Sequence, residues 1–153
     1  MAGFVFNQYR DGIVQGNLEA LLPTAGSYPK LLLEDASSSY TPNDADNTLA
    51  NVVSRGFAEC GAGTGTAYAR ATVTSLAVVR EDASARVRIT ADDSVFPGLN
   101  GLTVRAALFV LDPGGGPTSI VVIAYWNGAG FPLVTDGRDL TIQWDALGLL
   151  VLA

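Results

Sequence analysis

Polar and apolar residues alternate in two stretches of the C-terminal half, which is typical of β-strands that bury one face. Ser84–Thr90 reads S-A-R-V-R-I-T, with the valine and isoleucine on one side and the arginines on the other. Asp139–Asp145 reads D-L-T-I-Q-W-D and places Leu140, Ile142 and Trp144 on a single face. Both stretches are therefore predicted to be strands that lie over a core.

Two longer stretches between them, Leu102–Leu111 and Ser119–Trp126, are almost continuously apolar, as expected of strands buried on both faces. The turn-rich loop Asp112–Pro117 between them predicts an antiparallel pair, and Leu149–Leu152 is a last apolar strand. Together these patterns predict one antiparallel β unit from Ala83 to Ala153. Its expected core residues are Leu108, Val110, Val122, Ala124, Ile142 and Trp144.

The N-terminal half has a more mixed pattern. Lys30–Glu34 resembles a short core strand, and Tyr68–Arg80 is a long β candidate. Asn47–Gly56 predicts a short helix, with an Asn-Thr pair available as N-cap and a glycine at its end. Asn7–Leu22 has weaker helical periodicity, which two glycines oppose. We expect a single mainly β domain over residues 1–153, an antiparallel sandwich or barrel-like fold with one or two short helices in the N-terminal half.

Composition excludes more classes of function than any single motif does. The 153 residues carry a formal charge of −6, and the few cations are scattered, which argues against a nucleic-acid partner. The longest apolar runs are far shorter than the roughly 20 residues of a membrane span, and the start does not resemble a signal peptide. With no His and one Cys, the chain can form neither a Cys–His pair nor an internal disulfide. We therefore expect a protein that folds in a cytoplasm, needs no cofactor or metal, and is not an enzyme.

Four sequence features with apparent chemical potential have simpler interpretations. Gly61–Gly65 lacks the spacing of a phosphate loop and is interpreted as a connection. Asp44 and Asp46 lack the later glycine and glutamate of a calcium loop and fit a turn, and the pair Asp92–Asp93 also fits a turn. Cys60 lacks an imidazole base. None of these features predicts a catalytic or metal site.

Several segments, read in order, resemble a widespread group of small virion proteins of tailed bacteriophages. The segments are F-V-F-N, K-L-L-L-E, T-A-Y-A-R-A-T-V-T, R-V-R-I-T-A-D-D-S-V-F-P-G-L and D-G-R-D-L-T-I-Q-W-D-A-L-G-L-L-V-L-A. The resemblance extends from about Phe4 to Leu152, although Ala67–Arg70 stands where the group often has Gly-Tyr-Thr-Arg. Thr90–Asp93 occupies the Asp-Asp position of the group. The resemblance implies a structural component of the virion and no catalytic residue.

The leading hypothesis is a capsid decoration or cement protein that binds the assembled head. Its expected partners are the major capsid protein or other virion proteins, with further copies of itself on the particle, and its expected location is the virion assembled in the host bacterial cytoplasm. Alternatives are a head–tail connector, a tail component, or a carbohydrate-binding module with Tyr125 and Trp126 near exposed loops. The apolar termini supply the candidate contact residues Phe4, Val5, Phe6, Leu150 and Leu152. The alternative is that both termini are edge strands of the protein's own sheet.

Overall fold

The computed structural model describes residues 3–6, 28–61, 68–81, 86–128, 130–144 and 150–152. Within these ranges the fold is mainly β and antiparallel, as predicted, and the sheets pack in layers without closing into a barrel. The predicted helix over Asn7–Leu22 lies outside the described residues. The elements are β1 (Gly3–Val5), β2 (Tyr28–Asp35), α1 (Leu49–Ser54), β3 (Ala71–Thr72), β4 (Ala77–Glu81), β5 (Arg86–Thr90), β6 (Ser94–Phe96), β7 (Asn100–Asp112), β8 (Val121–Trp126), β9 (Leu133–Asp136), β10 (Leu140–Ile142) and β11 (Leu150–Leu152).

The largest sheet has the order β1-β8-β7-β2-β3, and β9 also pairs with β7. The long strand β7 joins β8 on one side and β2 on the other, from Tyr28 opposite Asp112 to Asp35 opposite Val104. The expectation that Ala83 to Ala153 form one antiparallel β unit is therefore wrong. A 13-residue strand that is apolar on both faces needs a neighbour on each edge, and a strand from the N-terminal half supplies one of them.

Two smaller sheets complete the β structure. One pairs β10 with β6, and the other has the order β11-β5-β4. The long strand predicted over Tyr68–Arg80 is divided into β3 and β4, because Ser75 between them has a left-handed backbone with φ of 55°. The predicted strands over Ser84–Thr90 and Asp139–Asp145 correspond to β5 and β10.

Two cores lie on opposite faces of the large sheet, since successive residues of β2 belong to different clusters. Leu31 and Leu33 lie in the strand-side core, which includes residues of β5, β6 and β10. Leu32 lies in the helix-side core, which α1 covers. The predicted core residues are divided between the two: Ala124 and Ile142 are buried on the strand side with Trp144 partly buried against them, and Leu108, Val110 and Val122 are buried on the helix side.

Helix α1 forms where the sequence pattern predicts it. Thr48 is the N-cap, and its hydroxyl accepts from the Asn51 backbone N–H at 3.3 Å while the Asn51 side chain accepts from the Thr48 backbone N–H at 3.2 Å. The helix ends before Gly56, whose φ of 98° suits glycine. Leu49 and Val52, which lie one turn apart on the helix, are both buried. No helix in the described ranges is long and apolar enough to cross a membrane.

Candidate functional site

A buried carboxylate lies at the junction of the large sheet and the loop before α1. Glu34, at the end of the apolar run of β2, is fully buried. Its Oε1 accepts a hydrogen bond from the Ser38 hydroxyl, and its Oε2 accepts one from the Tyr125 hydroxyl at 2.5 Å. Arg105 Nε lies 3.9 Å from Oε2. Both carboxylate oxygens are therefore engaged inside the fold, as a buried charge requires.

An irregularity in β7 positions the arginine of this group. Glu34 pairs with Ala106 and Asp35 pairs with Val104, so Arg105 is the extra residue of a β-bulge. Arg105 donates to the backbone carbonyls of Ser38 and, at 3.0 Å, of Tyr40. The bulge thus directs a cation onto the loop that follows β2 and fastens that loop to the sheet.

A second charged pair lies next to the first. Asp46 is 1% exposed; its Oδ2 accepts from the Tyr40 hydroxyl at 3.0 Å and its Oδ1 accepts from Arg55 Nε at 2.7 Å. The ring of Tyr40 meets that of Tyr125 edge to face, with centroids 5.5 Å apart. Burial, and then the hydrogen bonds to Asp46 and Glu34, raise the pKa of Tyr40 and of Tyr125 above the usual tyrosine range.

A third group fixes the segment after α1. Arg70 donates to both carboxylate oxygens of Glu59, at 2.9 and 2.8 Å, and lies 3.7 Å from Asp112. The Tyr68 hydroxyl donates to Glu59 at 2.9 Å and accepts from the Leu33 backbone N–H at 3.1 Å. Burial raises the pKa of Tyr68, and the hydrogen bond to Glu59 raises the pKa of Arg70.

These three groups share one arrangement, in which each carboxylate is held by side chains of the chain itself. The bonds connect residues distant in sequence, such as Glu34 of β2 with Tyr125 of β8, and so they tie together strands of the large sheet and the loop that follows β2. The sequence carried a signal for one residue of the first group, because Arg105 is the one charge within the apolar stretch Leu102–Leu111. Its partners could not be found from sequence, because pairing it depends on the sheet order and on the bulge.

The features with apparent chemical potential have structural surroundings. Asp46 belongs to the buried pair above, and the Asp92 carboxylate accepts from the Ser75 hydroxyl. Among the described residues no three acidic, His or Cys side chains are grouped as metal ligands. Of Gly61–Gly65, residues 62–65 lie outside the described ranges. Cys60 is 1% exposed, and burial raises the pKa of its thiol to about 12.

The aromatic side chains considered for carbohydrate stacking are in the cores. Tyr125 is 1% exposed and Trp126 is 6% exposed, so neither presents a face to a sugar. Trp126 packs against Trp144 with ring centroids 5.4 Å apart, and Phe109 contacts both rings. The Trp144 indole N–H donates to the Asp92 carbonyl at 2.7 Å. Tyr125 and Trp126 are therefore both core side chains, although Trp126 directly precedes the exposed loop residue Asn127.

Four of the five candidate contact residues lie in terminal strands that pair with the protein's own sheets, which is the alternative raised from the sequence, and both strands are outermost among the described residues. Phe4 and Val5 belong to β1, which pairs with β8, and Leu150 and Leu152 belong to β11, which pairs with β5. The side chains of these four residues lie outside the described part of the structure. Phe6 is fully buried in the helix-side core, and its backbone N–H donates to the Ile123 carbonyl at 3.2 Å. Phe6 thus anchors β1 to the protein's own core and is not a surface contact.

Comparisons of the chain with protein-family models, with curated proteins and with solved structures find no match.

Proposed function

We propose that this chain is a structural protein of a tailed-bacteriophage virion, bound as a decoration or cement subunit to the outside of the assembled head. It acts by binding and not by catalysis, and its partners are the major capsid protein or other virion proteins and neighbouring copies of itself. The proposal combines the resemblance from Phe4 to Leu152 with one structural observation, the position of the two apolar terminal strands.

The position of these strands carries the proposal. β1 pairs with β8 alone and β11 pairs with β5 alone among the described residues, so each is the outermost strand of its sheet within the described part of the chain. An outer strand has backbone N–H and C=O groups on its free side, and these can pair with another chain. Natural proteins usually protect such edges with charged residues, whereas F-V in β1 and L-V-L in β11 are apolar.

The internal polar groups support an assembly role in a second way. Their contacts fix the loop after β2 and the segment after α1 against the large sheet, and a subunit with fewer free segments loses less conformational entropy when it binds. A subunit that binds the assembled lattice and not its separated components shifts the equilibrium towards assembly by mass action. Many copies, each binding modestly, would then stabilise the particle.

The test compares two variants in binding to particles that lack the protein. Removal of residues 1–5 deletes β1 but keeps the buried Phe6, and we expect a folded protein whose bound copies per particle fall sharply. The matched control is Val53→Lys, which alters an apolar residue that is 50% exposed and belongs to α1 and not to either terminal strand. We expect this control to bind at wild-type stoichiometry.

Circular dichroism and thermal melting establish that the truncated protein is folded. If it is not, the point variant Phe4→Lys, which keeps the strand backbone, replaces it in the same binding assay. The proposal would be overturned if a folded β1 variant and the equivalent Leu150→Lys variant in β11 both bind at wild-type occupancy. Neither terminal strand would then make the contact.

A further inference from the structure

The chain contains two Asn-Gly dipeptides, Asn100–Gly101 and Asn127–Gly128. In this dipeptide the backbone nitrogen of the glycine can attack the side-chain amide carbon of the asparagine, because no Cβ on the following residue hinders the approach. The reaction requires the asparagine backbone to rotate until the side chain lies over that nitrogen. The local structure therefore decides whether each site can react.

Asn127 lies in a loop directly after β8 and is exposed. In the turn that follows, the Gly128 carbonyl accepts from the Phe131 N–H at 3.1 Å. That bond does not involve Asn127, whose side chain is exposed. Asn127 lies one residue beyond Trp126, the last paired residue of β8, so rotation at Asn127 need not break a ladder pairing.

Asn100 is held differently, although its dipeptide is the same. It is the first residue of β7 and pairs with Asp136 of β9, and Gly101 adopts a φ of 69° in the irregular part of that pairing. On one side the Gly137 N–H donates to the Leu99 carbonyl at 2.7 Å, and on the other the Leu102 N–H donates to the Thr135 hydroxyl at 2.9 Å. Rotation at Asn100 would strain or break these bonds.

We propose that Asn127 is a site of spontaneous covalent modification in the folded protein and that Asn100 is protected. The Gly128 nitrogen forms a bond to Asn127 Cγ, the Cγ–NH₂ bond breaks, and ammonia leaves with the proton lost by the Gly128 N–H, which produces a cyclic imide. Water then adds to one of the two imide carbonyls and opens the ring. The products are aspartate and isoaspartate, and no reactant other than water is consumed.

The modification changes the charge of one edge of the protein. Conversion of a neutral amide to a carboxylate adds a negative charge to a chain that already carries −6. Asn127 directly follows Trp126, which lies opposite Gly3 at the start of β1. The new charge would therefore lie at the end of the edge pairing β1–β8. The inference itself does not depend on the proposed function.

The test follows both sites in one sample of the full-length protein incubated in mildly alkaline buffer. Peptide mapping by mass spectrometry measures the conversion of each asparagine and separates aspartate from isoaspartate. In the folded protein we expect Asn127 to convert faster than Asn100 by about tenfold or more. In concentrated urea, where the two dipeptides have the same local freedom, we expect the two rates to approach each other.

The variant Asn127→Gln provides the control, because its longer side chain closes the imide ring much more slowly. It should remove the acidic species from ion-exchange profiles of the aged protein and leave thermal unfolding unchanged. Equal rates at the two sites in the folded protein would overturn the proposal. So would an Asn127 that reacts only after unfolding.

Discussion

Buried polar side chains affect the stability of this protein in opposite directions, depending on whether they have a hydrogen-bond partner. Glu34 is fully buried and bonded at both oxygens, whereas Ser94 is 2% exposed and its hydroxyl has no hydrogen-bond partner among the described residues. A buried hydroxyl without a partner costs about 1–3 kcal/mol relative to one that is satisfied. The two sites therefore predict changes of stability with opposite sign.

Tyr125→Phe should lower the free energy of unfolding by about 1–3 kcal/mol, because it removes the donor at 2.5 Å from Glu34 and leaves part of a buried carboxylate unsatisfied. Ser94→Ala should raise the free energy of unfolding by about 1 kcal/mol, because it removes an unsatisfied group. Urea denaturation measures both. The interpretation fails if Ser94→Ala destabilises the protein as much as Tyr125→Phe does.

The position of Cys60 in the structure changes the expected effect of replacing it with serine. From sequence alone, Cys60→Ser is expected to change stability little. The structure places the thiol in the strand-side core, 1% exposed, where a serine hydroxyl would be buried among apolar groups. We now expect Cys60→Ser to cost about 1–3 kcal/mol and Cys60→Ala to cost less. Equal losses in the two variants, measured by urea denaturation, would contradict this expectation.

At the scale of elements, sequence patterns predicted strands and the helix well, because periodicity records which face of an element is buried. The interval Asn47–Gly56 predicted α1, and Leu102–Leu111 predicted most of β7. Sequence did not predict that β2 would pair with β7, because pairing depends on contacts between distant segments. It also did not predict the bulge at Arg105, because an extra residue in a strand leaves no local signal.

The N-cap of α1 is a testable example at this scale. Thr48→Ala removes the hydroxyl that accepts from the Asn51 N–H, and we expect a loss of about 1 kcal/mol in the free energy of unfolding. The exposed Ser54 at the other end of the helix provides the control, and Ser54→Ala should change stability by less than about 0.5 kcal/mol. Equal effects from the two substitutions in thermal or urea unfolding would show that the cap contributes nothing.

At the scale of the whole molecule, the buried tyrosines link stability to alkaline pH. Burial raises the pKa values of Tyr40, Tyr68 and Tyr125 above the ordinary tyrosine value of 10.0, so these side chains stay protonated in the folded protein while the unfolded chain ionises. Their contribution is complete below pH 10 and is lost as the pH rises above it. Each group lowers the free energy of unfolding by about 1.4 kcal/mol per pH unit in that range.

The measurement for this prediction is the urea midpoint as a function of pH, with tyrosinate absorbance recorded in parallel. Cys60 adds to the loss from pH 9, its unfolded value, up to about 12. We expect the midpoint to be nearly constant from neutral pH to about 9 and to fall steeply above 10. A midpoint that stays constant to pH 11, with tyrosines ionising in the folded protein, would contradict the buried network.

The central claim, that the chain acts by assembly on a phage head, is tested most directly by its copy number in purified virions. Quantitative mass spectrometry of particles from a host that produces the chain gives the ratio of this protein to the major capsid protein. The account predicts many copies per particle, in a simple ratio to the major capsid protein. It also predicts that the protein stays on separated heads. A small fixed number of copies that remains with the neck or tail would favour a connector or tail component, and absence of the protein from the particles would contradict the account.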